Sequence, residues 1–217
     1  MTERVLYHAV YKGSSLFDEM FSRTMVVTHS TNFNPNPEDA LVLWGGEDIN
    51  PSFYGQNNVC HDKRVFDSNP RDHAERGIID KAIETNIPII GICRGAEWLC
   101  ISAGGSLIQD VTNHYENHDL TLVGNTQMQC NSIHHQMMRL KGTDHQVLGW
   151  CVPRSEHYLI DEKHAEPVGK IEFLVEPEIV FFPTLKGLAM QFHPEMGKNS
   201  ALGQLAKNLV AEYFFAA

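Results

Sequence analysis

Apolar residues along this chain follow two rhythms, short unbroken runs and stripes that return every three or four positions, which predict strands and helices respectively. Arg4 to Tyr11, Thr24 to Thr28 and Ala40 to Trp44 are such runs, the last cut off by Gly45-Gly46, and each reads as a strand. Between the second and third, the asparagines and prolines of 32–37 predict an irregular loop. The segment from Asp67 to Glu84 has the helical rhythm. Asn69 is its cap, Pro70 takes the first helical position, Ala74, Ile78, Ile79, Ala82 and Ile83 form its apolar stripe, and Asn86 ends it.

Ile87 to Ile92 is apolar without alternation, the pattern of a strand covered on both faces. A second helix follows at once, with Ala96, Leu99, Cys100 and Ala103 on one face and Gly104-Gly105 as its stop. Strand, helix, strand, helix in this order predicts right-handed crossovers and an α/β fold, a central and mostly parallel sheet with helices on both faces. From Thr112 to Pro183 the runs shorten and alternate, as at Asp119 to Val123, Gln146 to Val152 and Ile171 to Glu176, which predicts a small antiparallel section around an irregular loop. Leu188 to Phe192 returns to a buried strand. Ser200 to Phe215 closes as an amphipathic helix through Leu202, Leu205, Ala206, Leu209, Val210 and Tyr213. With 217 residues and no repeat, low-complexity tract or linker, residues 1–217 read as a single domain.

Charge narrows the partners. Seventeen basic residues against 27 acidic ones leave a net charge of −10, and no lysine-arginine cluster offsets it, so no nucleic acid is expected as partner. The apolar stretch after Met1-Thr2-Glu3-Arg4 is short and contains Tyr7 and His8, too polar for a signal or spanning segment, so no membrane is expected either. The five cysteines, an odd number without Cys-x-x-Cys spacing, read as thiols of a reducing compartment, and the expected location is the cytoplasm.

One of those thiols has a distinctive setting. Gly91-Ile92-Cys93-Arg94-Gly95 puts it between glycines where a buried strand meets a helix. Glycine flanks permit a turn sharp enough to push the side chain above the sheet edge, and the helix N-terminus would lower the thiol pKa and leave the Arg94 N–H free for a developing oxyanion. Taken alone, the same five residues also suit a buried structural cysteine. A nucleophilic thiol needs a base, and the base an orienting group. Gln191-Phe192-His193-Pro194-Glu195 offers both, because Pro194 favours an extended His193 and residues two apart in an extended segment point the same way. A capped loop histidine is the plain alternative, which accounts for neither the proline nor the spacing. In an α/β sheet both segments fall at the carboxyl edge, where such sites form. Leu43-Trp44-Gly45-Gly46-Glu47-Asp48 adds a glycine pair at a third strand end, whose main-chain N–H groups would complete an oxyanion hole with Arg94.

Six segments then stand in one order from Trp44 to Glu195. They are Gly45-Gly46-x-Asp48-x-x-Pro51 with Tyr54-Gly55, Arg71-Asp72-x-x-Glu75, Gly91-Ile92-Cys93-Arg94-Gly95, Gly104-Gly105-x-Leu107-x-Gln109-Asp110, Asn131-Ser132-x-His134-His135-Gln136 and Gln191-x-His193-Pro194-Glu195. The set resembles the class I glutamine amidotransferases, and within them the gamma-glutamyl-gamma-aminobutyrate hydrolase branch. The resemblance implies a flavodoxin-like amidotransferase fold, a Cys93–His193–Glu195 triad working through a gamma-glutamyl thioester, and an oxyanion hole from the main chains of Gly46 and Arg94. It also implies a substrate pocket of Gly45, Glu97, Asn131, Ser132, His134, His135 and Gln136, with no cofactor. The family's elbow helix usually reads Cys-x-Gly-x-Gln, whereas this chain has Glu97. A carboxylate only accepts hydrogen bonds, so Glu97 suits a substrate ammonium, and its charge would raise the pKa of the neighbouring thiol.

The expected activity is therefore hydrolysis of the gamma-glutamyl amide of glutamine or of a gamma-glutamyl amine, a small-molecule substrate. Two rivals share the fold: a glutaminase subunit that passes ammonia to a separate synthetase partner, and a non-catalytic binding protein. Twelve histidines invite a metal, and His114 and His118 have helical metal-pair spacing. Their surroundings read as loop without a third ligand, so no metal is expected. Arg71, Asp72 and Glu75 read as a solvated first helical turn, with pocket or loop-anchoring groups as the alternative that the resemblance implies.

Overall fold

The computed structural model describes residues 3–60, 69–161, 166–167, 175–197 and 200–216. In chain order its strands are β1 (Val5–Ala9), β2 (Arg23–Val27), β3 (Ala40–Leu43), β4 (Ile89–Ile92), β5 (Ser106–Ile108), β6 (Asp110–Val111), β7 (His118–Leu122), β8 (Gln127–Cys130), β9 (Met137–Arg139), β10 (Gln146–Cys151), β11 (His157–Leu159), β12 (Glu166–Pro167), β13 (Glu176–Phe182) and β14 (Gly187–Met190). Three α-helices accompany them, α1 (Pro70–Glu84), α2 (Arg94–Ser102) and α3 (Ala201–Phe215). Nine strands form one sheet in the order β2-β1-β3-β4-β14-β13-β10-β7-β8. The first five run parallel, with Leu41 opposite Ile89 and Ile92 opposite Met190.

Both faces of the parallel part are covered, which is why β3, β4 and β14 are apolar without alternation. Successive residues serve opposite faces: Leu41 and Leu43 pack with Ile78, Ile79 and Ala82 of α1 and with Trp98 of α2. Ala40 and Val42 pack with Ala206 and Val210 of α3 on the other side. Asn69 is the expected cap of α1, accepting from the Arg71 N–H, and the Ser200 hydroxyl caps α3 by accepting from Gly203 N–H. Asp67 and Ser68, at the expected start of α1, lie outside the described residues, as does most of the Ile171 to Glu176 run.

The antiparallel section is larger than expected and continuous with the main sheet. β13, β10, β7 and β8 extend it from β14, each antiparallel to its neighbour. β13 escaped the alternation rule because it is central and buried on both sides, Glu176 and Glu178 included. His114 and His118 also depart from expectation. Both are buried, His118 opens β7 instead of lying in a loop, and the two carboxylates of β13 lie against them.

The first turn of α1 is corrected too. Asp72 and Glu75 are fully buried, not solvated, because the guanidinium of Arg94 is buried beside them and requires counter-charges. Helix α2 is buried from Arg94 to Ile101, so its apolar stripe marks only one of its covered faces. Where it leaves the sheet the backbones touch. A Cβ on Gly95 would stand 2.4 Å from the Leu43 carbonyl oxygen, and one on Gly91 the same distance from the Gly95 carbonyl oxygen. Gly95→Ala is expected to lower the unfolding free energy in urea by about 2 to 3 kcal/mol, since only main-chain movement relieves the overlap.

Candidate active site

Cys93 ends β4 and caps α2 with φ 51° and ψ −110°, a sparsely populated conformation for a residue with a side chain. It is held there from both directions. Its N–H donates to the Met190 carbonyl at 2.8 Å, and its own carbonyl starts α2 by accepting from Ala96 and Glu97 at 2.8 and 3.1 Å. The turn lifts the thiol to the carboxyl edge of the sheet, where the ends of β3 and β14 also arrive.

His193 follows β14. Asn131 clamps its main chain, its amide oxygen accepting from the His193 N–H and its amide nitrogen donating to the His193 carbonyl, each at 2.8 Å. On the side chain, Nδ1 lies 2.7 Å from Glu195 Oε1. A carboxylate accepts, so the proton sits on Nδ1 and the lone pair on Nε2, which is buried and has no hydrogen-bond partner. Glu195 reaches the imidazole by a different route from the expected one. Residues Pro194–Gly197 wind into a 3-10 turn, and the turn, not strand alternation, brings the carboxylate round. The space beside Gly45 joins the two segments: a Cβ there would lie 3.4 Å from His193 Nε2 and 3.5 Å from Cys93 Cβ.

A small cavity of about 60 Å³ opens at this point, lined by Gly46, Asp48, Cys93, Glu97, Ile133, His134, His135 and Gln136. Of the residues expected to bind substrate, Glu97, His134, His135 and Gln136 reach it. Gly45, Asn131 and Ser132 are not among its lining residues: Asn131 holds His193, the Ser132 hydroxyl donates to the His114 carbonyl, and Gly45 packs against His193 and Cys93. Gln136 presents an amide whose oxygen and nitrogen are both buried without partners. His135 is bound up instead, with Nε2 2.8 Å from Asp48 and Nδ1 3.0 Å from Asp110. Burial disfavours its charge, yet the bonds from Asp48 and the further acceptors around the ring prevail and raise its pKa to about 11.

The electrostatics reverse one expectation. Burial pushes the Cys93 thiol well above its ordinary value, and the charges of Glu97, Glu195 and Asp48 push the same way. The Arg94 main-chain N–H beside the sulfur opposes them without prevailing. Glu97 is itself raised to about 7, first by burial and then by Asp48, with the Gln191 amide donating to it at 3.1 Å.

Two supports escaped the sequence reading. Arg71 donates through Nη2 to the carbonyls of Trp44 and Gly45, each at 3.0 Å, while its Nε pairs with Glu75 at 2.8 Å. The Tyr11 hydroxyl donates to the Gly45 carbonyl at 2.6 Å. Together they fix the carbonyls of the 44–45 segment. Gln109 ties down the 57–59 segment, accepting from Val59 N–H at 3.0 Å and donating to the Asn57 carbonyl at 2.7 Å. Arg71 and Gln109 were visible as motif members, but a motif does not tell what a side chain grips.

A mostly parallel sheet between helices, with a strained cysteine elbow at its carboxyl edge, is the fold of the class I glutamine amidotransferases. A solved glutamine amidotransferase of Thermotoga maritima matches it with a TM-score of 0.63 over 100% of both chains, at 14% identity. The chain belongs to the Peptidase C26 family, which it matches over residues 36–195. Among curated relatives, a candidate glutamine amidotransferase of Schizosaccharomyces pombe is 33% identical over 132 residues, 51% of this chain and 52% of the relative. The gamma-glutamyl-gamma-aminobutyrate hydrolase of Escherichia coli is 39% identical over 71 residues, 32% of this chain and 26% of that enzyme. The chain thus spans about half the length of the first relative and less of the second. Among the described residues, no helix is long and apolar enough to cross a membrane.

Proposed function

We propose that the chain is a cysteine hydrolase of gamma-glutamyl amides, with Cys93 as nucleophile, His193 as base and Glu195 as the group that orients it. The observation that carries this reading is the unpartnered Nε2 of His193 beside the Cys93 elbow, with Nδ1 fixed on Glu195. Burial and the neighbouring carboxylates favour the thiol over the thiolate at Cys93. Cys93 Sγ attacks the amide carbon as its proton passes to Nε2, and the Arg94 and Gly46 main chains face the oxyanion. The same proton then goes from Nε2 to the leaving amine as the C–N bond breaks. Water, deprotonated by Nε2, hydrolyses the thioester, and the thiol is restored. Glu97 receives the alpha-ammonium of the glutamyl group, a contact that suits a carboxylate where an amide is usual. The test is amine release from glutamine and from a panel of gamma-glutamyl amines. Release from at least one of them supports the reading, and release from none overturns it.

Glu97 also makes a prediction about pH. Its folded pKa of about 7 lies above the ordinary 4.5, so between those values the folded chain holds a proton that the unfolded chain has lost. Stability therefore falls as pH rises through this window. Glu97→Gln removes the fall, and the difference in unfolding free energy between about pH 5 and about pH 8 is expected to shrink by about 3 kcal/mol. Urea denaturation at the two pH values measures it. The same substitution takes a negative charge from beside Cys93, so the pH midpoint for alkylation of that thiol, followed by peptide mass, is expected to fall.

A further inference from the structure

Behind the pocket wall, His114, His118 and His134 meet β13, all three rings and the carboxylates of Glu176 and Glu178 being buried to 4% exposure or less. Each histidine gives one ring nitrogen to an acceptor that has no proton to offer. His114 Nε2 faces Glu176 Oε2 at 3.1 Å, His118 Nδ1 faces the Glu116 carbonyl at 3.3 Å, and His134 Nδ1 faces the Gln136 carbonyl at 2.8 Å. For His114 and His134 these contacts place the N–H on that nitrogen and the lone pair on the other. His114 Nδ1 and His134 Nε2 are buried without partners, and so is Glu178 Oε2. His118 has acceptors at both ring nitrogens, the second being Glu178 Oε1, 3.0 Å from Nε2, so a proton lies between them that a metal would displace. Outer-nitrogen bonds to carboxylate and carbonyl groups are the arrangement that orients histidine ligands on a metal ion.

The distances suit such an ion. Donor atoms of His114, His118 and Glu178 lie within 4.8 Å of one another, and His134 Nε2 is 4.0 Å from Glu178 Oε1. Tetrahedral zinc spaces its donors about 3.3 Å apart, so His114, His118 and Glu178 close on a metal with shifts of about 1 to 2 Å and leave its fourth position to water, with His134 standing beside the site. Glu176 is already saturated, accepting from the Tyr158 hydroxyl at 2.6 Å and from the main-chain N–H groups of Arg154 and Ser155, and serves to orient His114. We infer that His114, His118 and Glu178 form a site for a zinc-class divalent transition metal. Two imidazoles and one carboxylate favour that class over calcium or magnesium. The inference does not depend on the hydrolase reading, although His134, beside the ion, also lines the pocket.

The test uses the whole chain, stripped of metal and then titrated with Zn(II), or with Co(II) as a visible probe. The expected result is one ion per chain, the intense visible bands of tetrahedral Co(II), and a melting temperature that rises with the metal. Glu178→Gln and His118→Gln are each expected to weaken binding by at least about tenfold. X-ray absorption on the wild-type zinc form is expected to report two imidazoles with oxygen in the remaining positions, so the site is testable even if a variant fails to fold. Substoichiometric uptake, six-coordinate Co(II), or unchanged affinity in folded variants overturns it.

Discussion

Cys93→Ala is expected to lower amine release from a gamma-glutamyl amide by at least about 10³-fold, the usual loss when a covalent nucleophile is removed. Folding should survive, because alanine leaves no buried donor without a partner and the glycines that shape the elbow remain. Matching melting curves beside the two rates separate lost chemistry from lost structure. Cys100→Ala and Cys151→Ala serve as comparison. Both thiols are buried and have weakly donating contacts to Ser106 O and Glu176 respectively, and neither adjoins the unpartnered His193 nitrogen. Equal rates in Cys93→Ala and the parent would remove the mechanism altogether.

Glu75→Ala is expected to be the most destabilising single change, at about 3 to 5 kcal/mol in urea unfolding. One buried carboxylate serves donors from three residues here: Arg71 Nε at 2.8 Å, Arg94 Nη2 at 2.9 Å and Nε at 3.1 Å, and Trp98 Nε1 at 2.8 Å. Its loss strands the Arg94 guanidinium, 1% exposed, with Asp72 as its remaining carboxylate at 2.5 Å. The damage should reach the pocket, since Arg71 also holds the carbonyls of Trp44 and Gly45. A loss under about 1 kcal/mol would mean that Asp72 alone satisfies the buried guanidinium.

This pair of predictions shows what the sequence made legible. The elbow could be read because two glycines and a buried run leave few ways to turn a chain, and the close approach of Gly95 to Leu43 gives that reading its physical basis. The role of Glu75 could not, because a charge near a helix start is ordinarily solvated, and only the burial of Arg94, nineteen residues onward, reverses the rule. The same holds for the histidines. His114 and His118 were noticed by spacing, but their carboxylate partners come from β13, some sixty residues away. The thiol was half legible for a related reason. The helix N-terminus and Glu97 are local and were read as opposing influences, whereas burial and the charges of Glu195 and Asp48 depend on how distant segments pack. Asn131 holds the His193 main chain, a contact that no motif encodes.

The most direct test of the central claim is the mass of the chain quenched in acid during turnover of a gamma-glutamyl amide, followed by peptide mapping. The account predicts an adduct of one glutamyl group on the peptide containing Cys93, lost as substrate is exhausted and absent from Cys93→Ala. Turnover with no adduct at any time, or with the adduct on another cysteine, would contradict it.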